Sequence, residues 1–208
     1  MSATSTQKST QSPPVKQINR QSLVAGDIIA TRAHAKSSKG VRYFTHGDVS
    51  HSILYTGEKL GMHWGVDAMP GRGVTREQLG QKLTPLIYAV VFRHRTATGE
   101  QRARACKWAG LQAALHKPYD FRSAARLGTA TAYWDVRPFH SVALLVVMGD
   151  AVSAWAGPKD EDASFTCSEL VFRAYEIAGA PLLDKPAHFL SPGAVFRTDH
   201  LECLGRLV

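Results

Sequence analysis

The order of the predicted elements indicates an α+β fold. Segments with the composition of β-strands lie in the first half of the chain, at residues 23–31, 48–57, 63–68 and 86–92. Helical periodicity begins at Thr98 and dominates the second half, and a last short strand is predicted over 201–207. Strands that precede a run of helices are typical of the α+β class.

Turn residues delimit the predicted strands. Gly26 and Asp27 form a turn that leads into the first apolar strand. The strands at 48–57 and 63–68 are predicted to pair as a hairpin, because a glycine-bounded turn separates them. Residues 86–92 are apolar on both faces, which favours a central strand, whereas 201–207 is predicted to be an edge strand.

Four helices are predicted before the cysteine-bearing segment described below. Thr75 is the predicted N-cap of the first, and Pro138 separates the last two. The apolar run at 142–148 is too short to span a bilayer before Gly149 and Asp150, so it is predicted to be part of a buried helix. The four helices are predicted at 74–83, 98–115, 123–133 and 142–156.

The fold is predicted to be organised around a helix that begins at Thr166 and carries Cys167 in its first turn. Thr166 and Glu169 have the spacing of a capping box, and Gly179 ends the helix. A thiol at a helix N-terminus lies near unpaired backbone N–H groups and the positive end of the helix dipole, which lower its pKa. Cys167 is therefore a candidate nucleophile, although a lone cysteine is more often a small buried apolar residue.

Length and composition predict one folded domain. The 208 residues suffice for a single core. Residues 1–17 are rich in Ser, Thr, Gln and Pro and contain no apolar run, so no signal peptide is predicted. We expect a disordered tail over 1–20 and a single domain over 21–208.

The net charge of +8 favours a polyanionic partner such as nucleic acid, an anionic membrane or the bacterial cell wall. The basic residues are scattered and follow no nucleic-acid-binding pattern, so nucleic acid is not expected as a partner. Three widely spaced cysteines fit neither a disulfide framework nor a structural zinc site and suit a reducing compartment. No metal ligand set is evident from the sequence.

A catalytic cysteine needs a base, and the base needs a residue that orients it. His51 and Asp67 are the candidates, because the hairpin brings their strands together. On one face of the sheet they would meet the Cys167 helix, which is predicted to pack against that same face. The alternatives are a structural histidine and a turn carboxylate.

Six short motifs follow one another along the chain. They are Gly26-Asp27-Ile28-Ile29, Ser50-His51-Ser52-Ile53-Leu54-Tyr55, Val66-Asp67-Ala68, Gly71-Arg72-Gly73-Val74, Tyr119-Asp120-Phe121 and Thr166-Cys167-Ser168-Glu169-Leu170-Val171. In these motifs the sequence resembles the circularly permuted NlpC/P60 proteins of the YaeF/YiiX type, which are papain-like cysteine hydrolases. In this group the sheet histidine precedes the cysteine helix, as it does here. The resemblance implies a small antiparallel sheet packed against the cysteine-bearing helix.

The resemblance implies Cys167 as nucleophile, His51 as general base and acid, and Asp67 as the third polar residue. Many members have Glu where this chain has Asp67, whose shorter side chain reaches less far. A backbone N–H at the start of the cysteine helix would bind the oxyanion. The candidates for further oxyanion or cleft contacts are Tyr43, His46 and Ser168, and no cofactor is implied.

The implied substrate is an amide bond in the stem peptides of peptidoglycan. A wall hydrolase without a signal peptide resembles antibacterial effectors of type VI secretion, which are made in the cytoplasm and act in the periplasm of the target cell. Such an effector implies secretion machinery and a cognate immunity protein as partners, and we expect a monomer. Two alternatives remain open: a lipid acyl hydrolase or acyltransferase of the related group, and a binding protein on a decayed papain-like scaffold.

Overall fold

The computed structural model describes residues 16–33, 49–83, 86–124, 162–183 and 198–208. In this part of the chain a seven-stranded sheet is covered on one face by two longer helices. The strands are β1 (Gln17–Ile18), β2 (Ile28–Ala33), β3 (His51–Lys59), β4 (Met62–Met69), β5 (Gly73–Gln78), β6 (Leu86–His94) and β7 (Leu201–Leu207). The helices are α1 (Leu79–Leu83), α2 (Gly99–Ala114) and α3 (Cys167–Ile177).

The strand order in the sheet is β1-β7-β6-β2-β3-β4-β5. Every neighbouring pair is antiparallel except β1 and β7, which run parallel. The sheet is therefore mixed and larger than the small antiparallel sheet predicted. The short strand β1 flanks β7, so β7 is not the outermost strand as the sequence suggested. Because β1 lies within residues 1–20, the last part of the predicted tail is ordered.

The sequence correctly predicts the hairpin and the helix that follows the sheet. Strands β3 and β4 pair through Leu54 and Val66. Helix α2 begins after Thr98, whose side chain accepts from the backbone N–H of Gln101 in a complete capping box. Residues 125–161, which contain most of the helices predicted at 123–133 and 142–156, lie outside the described residues.

The helix predicted over 74–83 is wrong in its first part. Residues Gly73–Gln78 form β5, which pairs with β4 so that Thr75 lies opposite Asp67. Thr75 is therefore a strand residue and not an N-cap. Only Leu79–Leu83 is helical, because pairing with β4 satisfies the backbone of the preceding residues and overrides their local helical pattern.

Two apolar clusters cover the two faces of the sheet. The first joins Leu54, Val66 and Ala68 of the hairpin to buried residues of α3 such as Leu170 and Val171. The second contains Ile53 and Tyr55 of β3 together with Leu79 of α1. Helix α3 thus packs against the face of the hairpin that bears Leu54 and Val66, and α1 lies on the other.

Gly73 lies against the segment that follows α2. Its φ is 70°, and an added Cβ would lie 2.5 Å from the carbonyl oxygen of Lys117. The same carbonyl accepts a 2.8 Å hydrogen bond from the N–H of Val74. Further along, Tyr119 forms a parallel bridge with Phe165, just before Cys167.

We expect Gly73→Ala to destabilise the protein more than Gly71→Ala does. Both glycines have positive φ, which costs alanine about 1–2 kcal/mol, but nothing lies within 4 Å of a Cβ added at Gly71. The clash with Lys117 adds roughly 1–3 kcal/mol at Gly73 only. Urea unfolding of both variants measures the difference, and equal free energies of unfolding would show that the close approach has no energetic weight.

Candidate active site

Cys167 is the first residue of α3 and is buried. The helix begins there because Thr166 caps it: the Thr166 hydroxyl accepts from the backbone N–H of Glu169 at 3.3 Å. The Glu169 carboxylate in turn accepts from the backbone N–H of Thr166 at 3.1 Å, which completes the predicted capping box. The thiol therefore stands at the positive end of the helix dipole, as the sequence predicts.

His51 and Asp67 are in direct contact. His51 is the first residue of β3, and its Nε2 lies 2.5 Å from Oδ2 of Asp67 in the adjacent strand β4. The histidine is half-buried and the aspartate is 1% exposed. The shorter side chain of aspartate is thus long enough to reach the imidazole in this hairpin.

Helix α3 packs against the face of the hairpin that bears Leu54 and Val66. Val49, just before β3, is buried in the same cluster as α3, whereas Ile53 of β3 belongs to the second cluster. His51 lies between these two residues and forms a hydrogen bond with Cys167. The cysteine and the histidine therefore meet where β3 begins.

The Cys167 thiol and the His51 imidazole stabilise each other's charged forms. Burial raises the pKa of the Cys167 thiol, but the positive charge of His51, a hydrogen bond from His51 and the backbone N–H of Ser52 lower it, with a net decrease. Burial lowers the pKa of His51, but the charges and hydrogen bonds of Cys167 and Asp67 raise it to about 10. Because Nε2 of His51 faces Asp67, Nδ1 is the nitrogen left for the sulfur. The arrangement favours the thiolate–imidazolium pair over the neutral thiol and imidazole.

Asp67 has partners that the sequence did not predict. Lys82 of α1 forms an ion pair with Oδ2, the oxygen that also contacts His51. The hydroxyl of Thr75 donates to Oδ1 at 3.4 Å. Burial raises the pKa of Asp67, but the charges and hydrogen bonds of His51 and Lys82 lower it below its ordinary value. No local pattern marks Lys82, because its contact depends on how α1 folds against β4.

Tyr119 is a second residue that the sequence reasoning did not assign to the site. Its bridge with Phe165 brings it next to the first turn of α3. Burial raises the pKa of the Tyr119 phenol, and the negative charge of Cys167 raises it further. The phenol therefore remains protonated. The motif that includes Tyr119 contributed to the resemblance, but it did not indicate that Tyr119 lies next to the first turn of α3.

Of the remaining predicted cleft residues, the structure describes only Ser168. Tyr43 and His46 lie outside the described residues. The side chain of Ser168 is buried, and its hydroxyl lies 3.5 Å from the hydroxyl of Thr166 within the helix cap. Ser168 thus belongs to the cap through its side chain.

The described residues contain no helix long and apolar enough to cross a membrane. The same part of the chain has no group of three or more His, Cys, Asp or Glu side chains arranged to hold a metal ion.

The fold is similar to a solved structure described as the metalloprotein YiiX from Escherichia coli O157:H7, DUF1105. The TM-score is 0.57 with 20% sequence identity, and the match covers 88% of this chain and 96% of that one. This similarity shows the YiiX fold, with an α+β architecture and a mixed seven-stranded sheet. No protein-family model matches the sequence, and no curated protein matches it either.

We expect Cys167 to react with iodoacetamide in preference to Cys106 at pH 6–7. The pKa of Cys167 is lowered, whereas burial raises the pKa of Cys106 to about 11. Since the thiolate is the nucleophile, alkylation of Cys167 should persist at neutral pH and decline only as the pH falls through its lowered pKa. Peptide mass spectrometry in a Cys203→Ser background, which removes an exposed thiol, measures both sites. Faster labelling of Cys106 would contradict the proposed ion pair.

Proposed function

We propose that this protein is a cysteine hydrolase that attacks carbonyl carbons through Cys167. The observation that carries the proposal is the contact of His51 with Asp67 at 2.5 Å, next to a buried thiol at the first turn of a capped helix. A cysteine, a histidine and a carboxylate in this order are the parts of an activated nucleophile. A decayed binding scaffold would have no need to retain all three.

The reaction begins from the thiolate–imidazolium pair. The sulfur of Cys167 attacks the carbonyl carbon of the substrate and forms a tetrahedral oxyanion. His51, held by Asp67, donates its proton to the leaving amine, and an acyl-enzyme thioester remains. His51 then takes a proton from water, which hydrolyses the thioester and restores the free thiolate.

The oxyanion needs donors close to the sulfur. The backbone N–H of Cys167 is one of the unpaired donors at the start of α3, and it is the first donor we propose. Tyr119 is the second, because its protonated phenol is near the charge of Cys167. Within the described residues it takes the role that the sequence assigned to Tyr43 or His46.

The proposed substrate is an amide bond in peptidoglycan stem peptides, and the proposed setting is a secreted antibacterial effector. The net charge of +8 supports a negatively charged polymer as the target. The resemblance in the cysteine helix, the sheet histidine and the aspartate supports the same class. An immunity protein, secretion machinery and action in the target-cell periplasm are further parts of this proposal.

Incubation with Gram-negative sacculi tests the substrate. Wild-type protein should release muropeptides that Cys167→Ala does not, and their masses would identify the bond. Anionic phospholipid vesicles, analysed for released fatty acid, are the parallel substrate. If wild-type protein released products only from vesicles, and Cys167→Ala did not, the proposed function would change from wall hydrolase to lipid acyl hydrolase.

A chelator control tests whether a metal takes part, because the YiiX structure is described as that of a metalloprotein. The steps proposed here use only side chains and backbone groups of this chain, so EDTA should leave cysteine-dependent product release unchanged. Loss of release with EDTA, followed by recovery on addition of one divalent metal, would require a different chemistry.

A further inference from the structure

The buried carboxylate of Asp67 is shared between two cationic side chains. Oδ2 contacts both Nε2 of His51, at 2.5 Å, and the ammonium of Lys82. The side chain of Lys82 is 12% exposed and that of Asp67 is 2% exposed. Charges with so little contact with water are weakly screened, so the position of Lys82 affects both Asp67 and the imidazole.

Lys82 is itself held from a second side. Its Nζ lies 2.9 Å from Oε2 of Glu77, and Oε1 of Glu77 lies 2.5 Å from a guanidinium nitrogen of Arg72. These side chains form a row whose charges alternate from the interior to the surface when His51 is protonated. The row consists of His51, Asp67, Lys82, Glu77 and Arg72. This arrangement constrains the ammonium more than a single ion pair would.

We propose that Lys82 is a positioning residue for the reaction, which fixes the Asp67 carboxylate against His51 and offsets part of its negative charge. This inference rests on the proposed cysteine hydrolase. A full negative charge against His51 would hold its proton too firmly for donation to a leaving group. A cation on the same oxygen weakens that hold while the carboxylate still orients the ring.

The charged and titratable groups around this row come from several elements. Asp67 and Glu77 face Lys82 from β4 and β5, and Arg72 reaches Glu77 from the turn before β5. His51 faces Asp67 from β3 and forms a hydrogen bond with Cys167 of α3, and the charge of Cys167 acts on the phenol of Tyr119. Removal of Lys82 deletes one of the two cations on Asp67, so the remaining negative charge should act more strongly on His51.

The direct test is the titration of the His51 ring by NMR in a Cys167→Ala background, which uncouples it from the thiol. Lys82→Met should raise the midpoint by at least about half a pH unit, because a nearby like charge has been removed. Lys82→Arg should restore the midpoint to near its starting value. A lower melting temperature of Lys82→Met with an unchanged midpoint would reduce Lys82 to a structural residue and overturn the proposal.

Lys82→Met leaves Glu77 without one of its cations and can impair folding. The double variant Lys82→Met with Glu77→Gln has the same net charge as the wild type and is the second variant to be titrated. Its midpoint should still rise, because Lys82 contacts the same Asp67 oxygen as His51, whereas Glu77 pairs with Lys82. A fall in the midpoint would show that Glu77 dominates and would contradict the proposal.

A kinetic measurement complements the titration. With Cys167 intact, Lys82→Met should lower kcat for product release from sacculi by about 10–100-fold with little change in KM, as expected for a residue that orients a catalytic group. A rise in KM of the same size, with kcat unchanged, would assign Lys82 to substrate binding instead. If sacculi are not the substrate, the NMR titration still decides the role of Lys82, so the two proposals fail separately.

Discussion

Replacement of Cys167 by serine is expected to remove nearly all turnover while the protein stays folded. The site stabilises a thiolate through the charge of His51 and the backbone N–H of Ser52. A serine hydroxyl in the same place remains protonated, so we expect a loss of at least about a thousandfold. The rate of muropeptide release from sacculi, or of fatty acid from vesicles if those are the substrate, measures the effect.

The fold should survive because the cap of α3 does not depend on the sulfur. The capping hydrogen bonds join Thr166 and Glu169, and serine is only slightly smaller and more polar than cysteine. Cys203→Ser is the matched control, since Cys203 is exposed on β7 and should keep full activity. A Cys167→Ser variant that retained more than about a tenth of wild-type activity would refute the nucleophile assignment.

His51→Ala is expected to lower activity more than Asp67→Asn. Alanine removes the charge and hydrogen bond that lower the pKa of Cys167, and burial then raises that pKa. The general acid is lost as well, so activity should fall by about 10²–10⁴-fold. Asparagine keeps a side-chain oxygen near the imidazole, and ring packing preserves part of its orientation, so a fall of about 10–100-fold is expected.

Alkylation separates the two roles without a substrate. At pH 6–7 His51→Ala should slow iodoacetamide labelling of Cys167 by at least about tenfold, because less thiolate is present. Asp67→Asn should slow it less, since His51 and the thiol still face each other. The reverse ranking, in labelling and in turnover, would show that Asp67 and not His51 controls the protonation of the sulfur. The melting temperatures of both variants control for unfolding.

Local signals in the sequence were sufficient to predict the elements that carry Cys167 and His51. The capping box of Thr166 and Glu169 identifies the start of α3, because its hydrogen bonds join residues three apart. The glycine-bounded turn identifies the hairpin, and the hairpin places His51 close to Asp67. These features could be predicted because each depends on residues that are near in sequence.

Features that depend on distant pairing were predicted incorrectly or not at all. The segment at 73–78 has a helical pattern but becomes β5, because β4 supplies hydrogen-bond partners. Strand alternation does not tell which face of the hairpin the cysteine helix covers, and α3 packs on the face that bears Leu54 and Val66. Apolar residues occur on both faces of these strands, so either face was compatible with packing.

By itself, the sequence determined the α+β class, the cysteine at a helix N-terminus and the hairpin that joins histidine to aspartate. Only the tertiary structure decided that α3 meets His51 at the end of the sheet and that Lys82 and Tyr119 lie beside the site. The physical reason is that capping and hairpin formation are local, whereas ion pairing and burial depend on segments far apart in the chain.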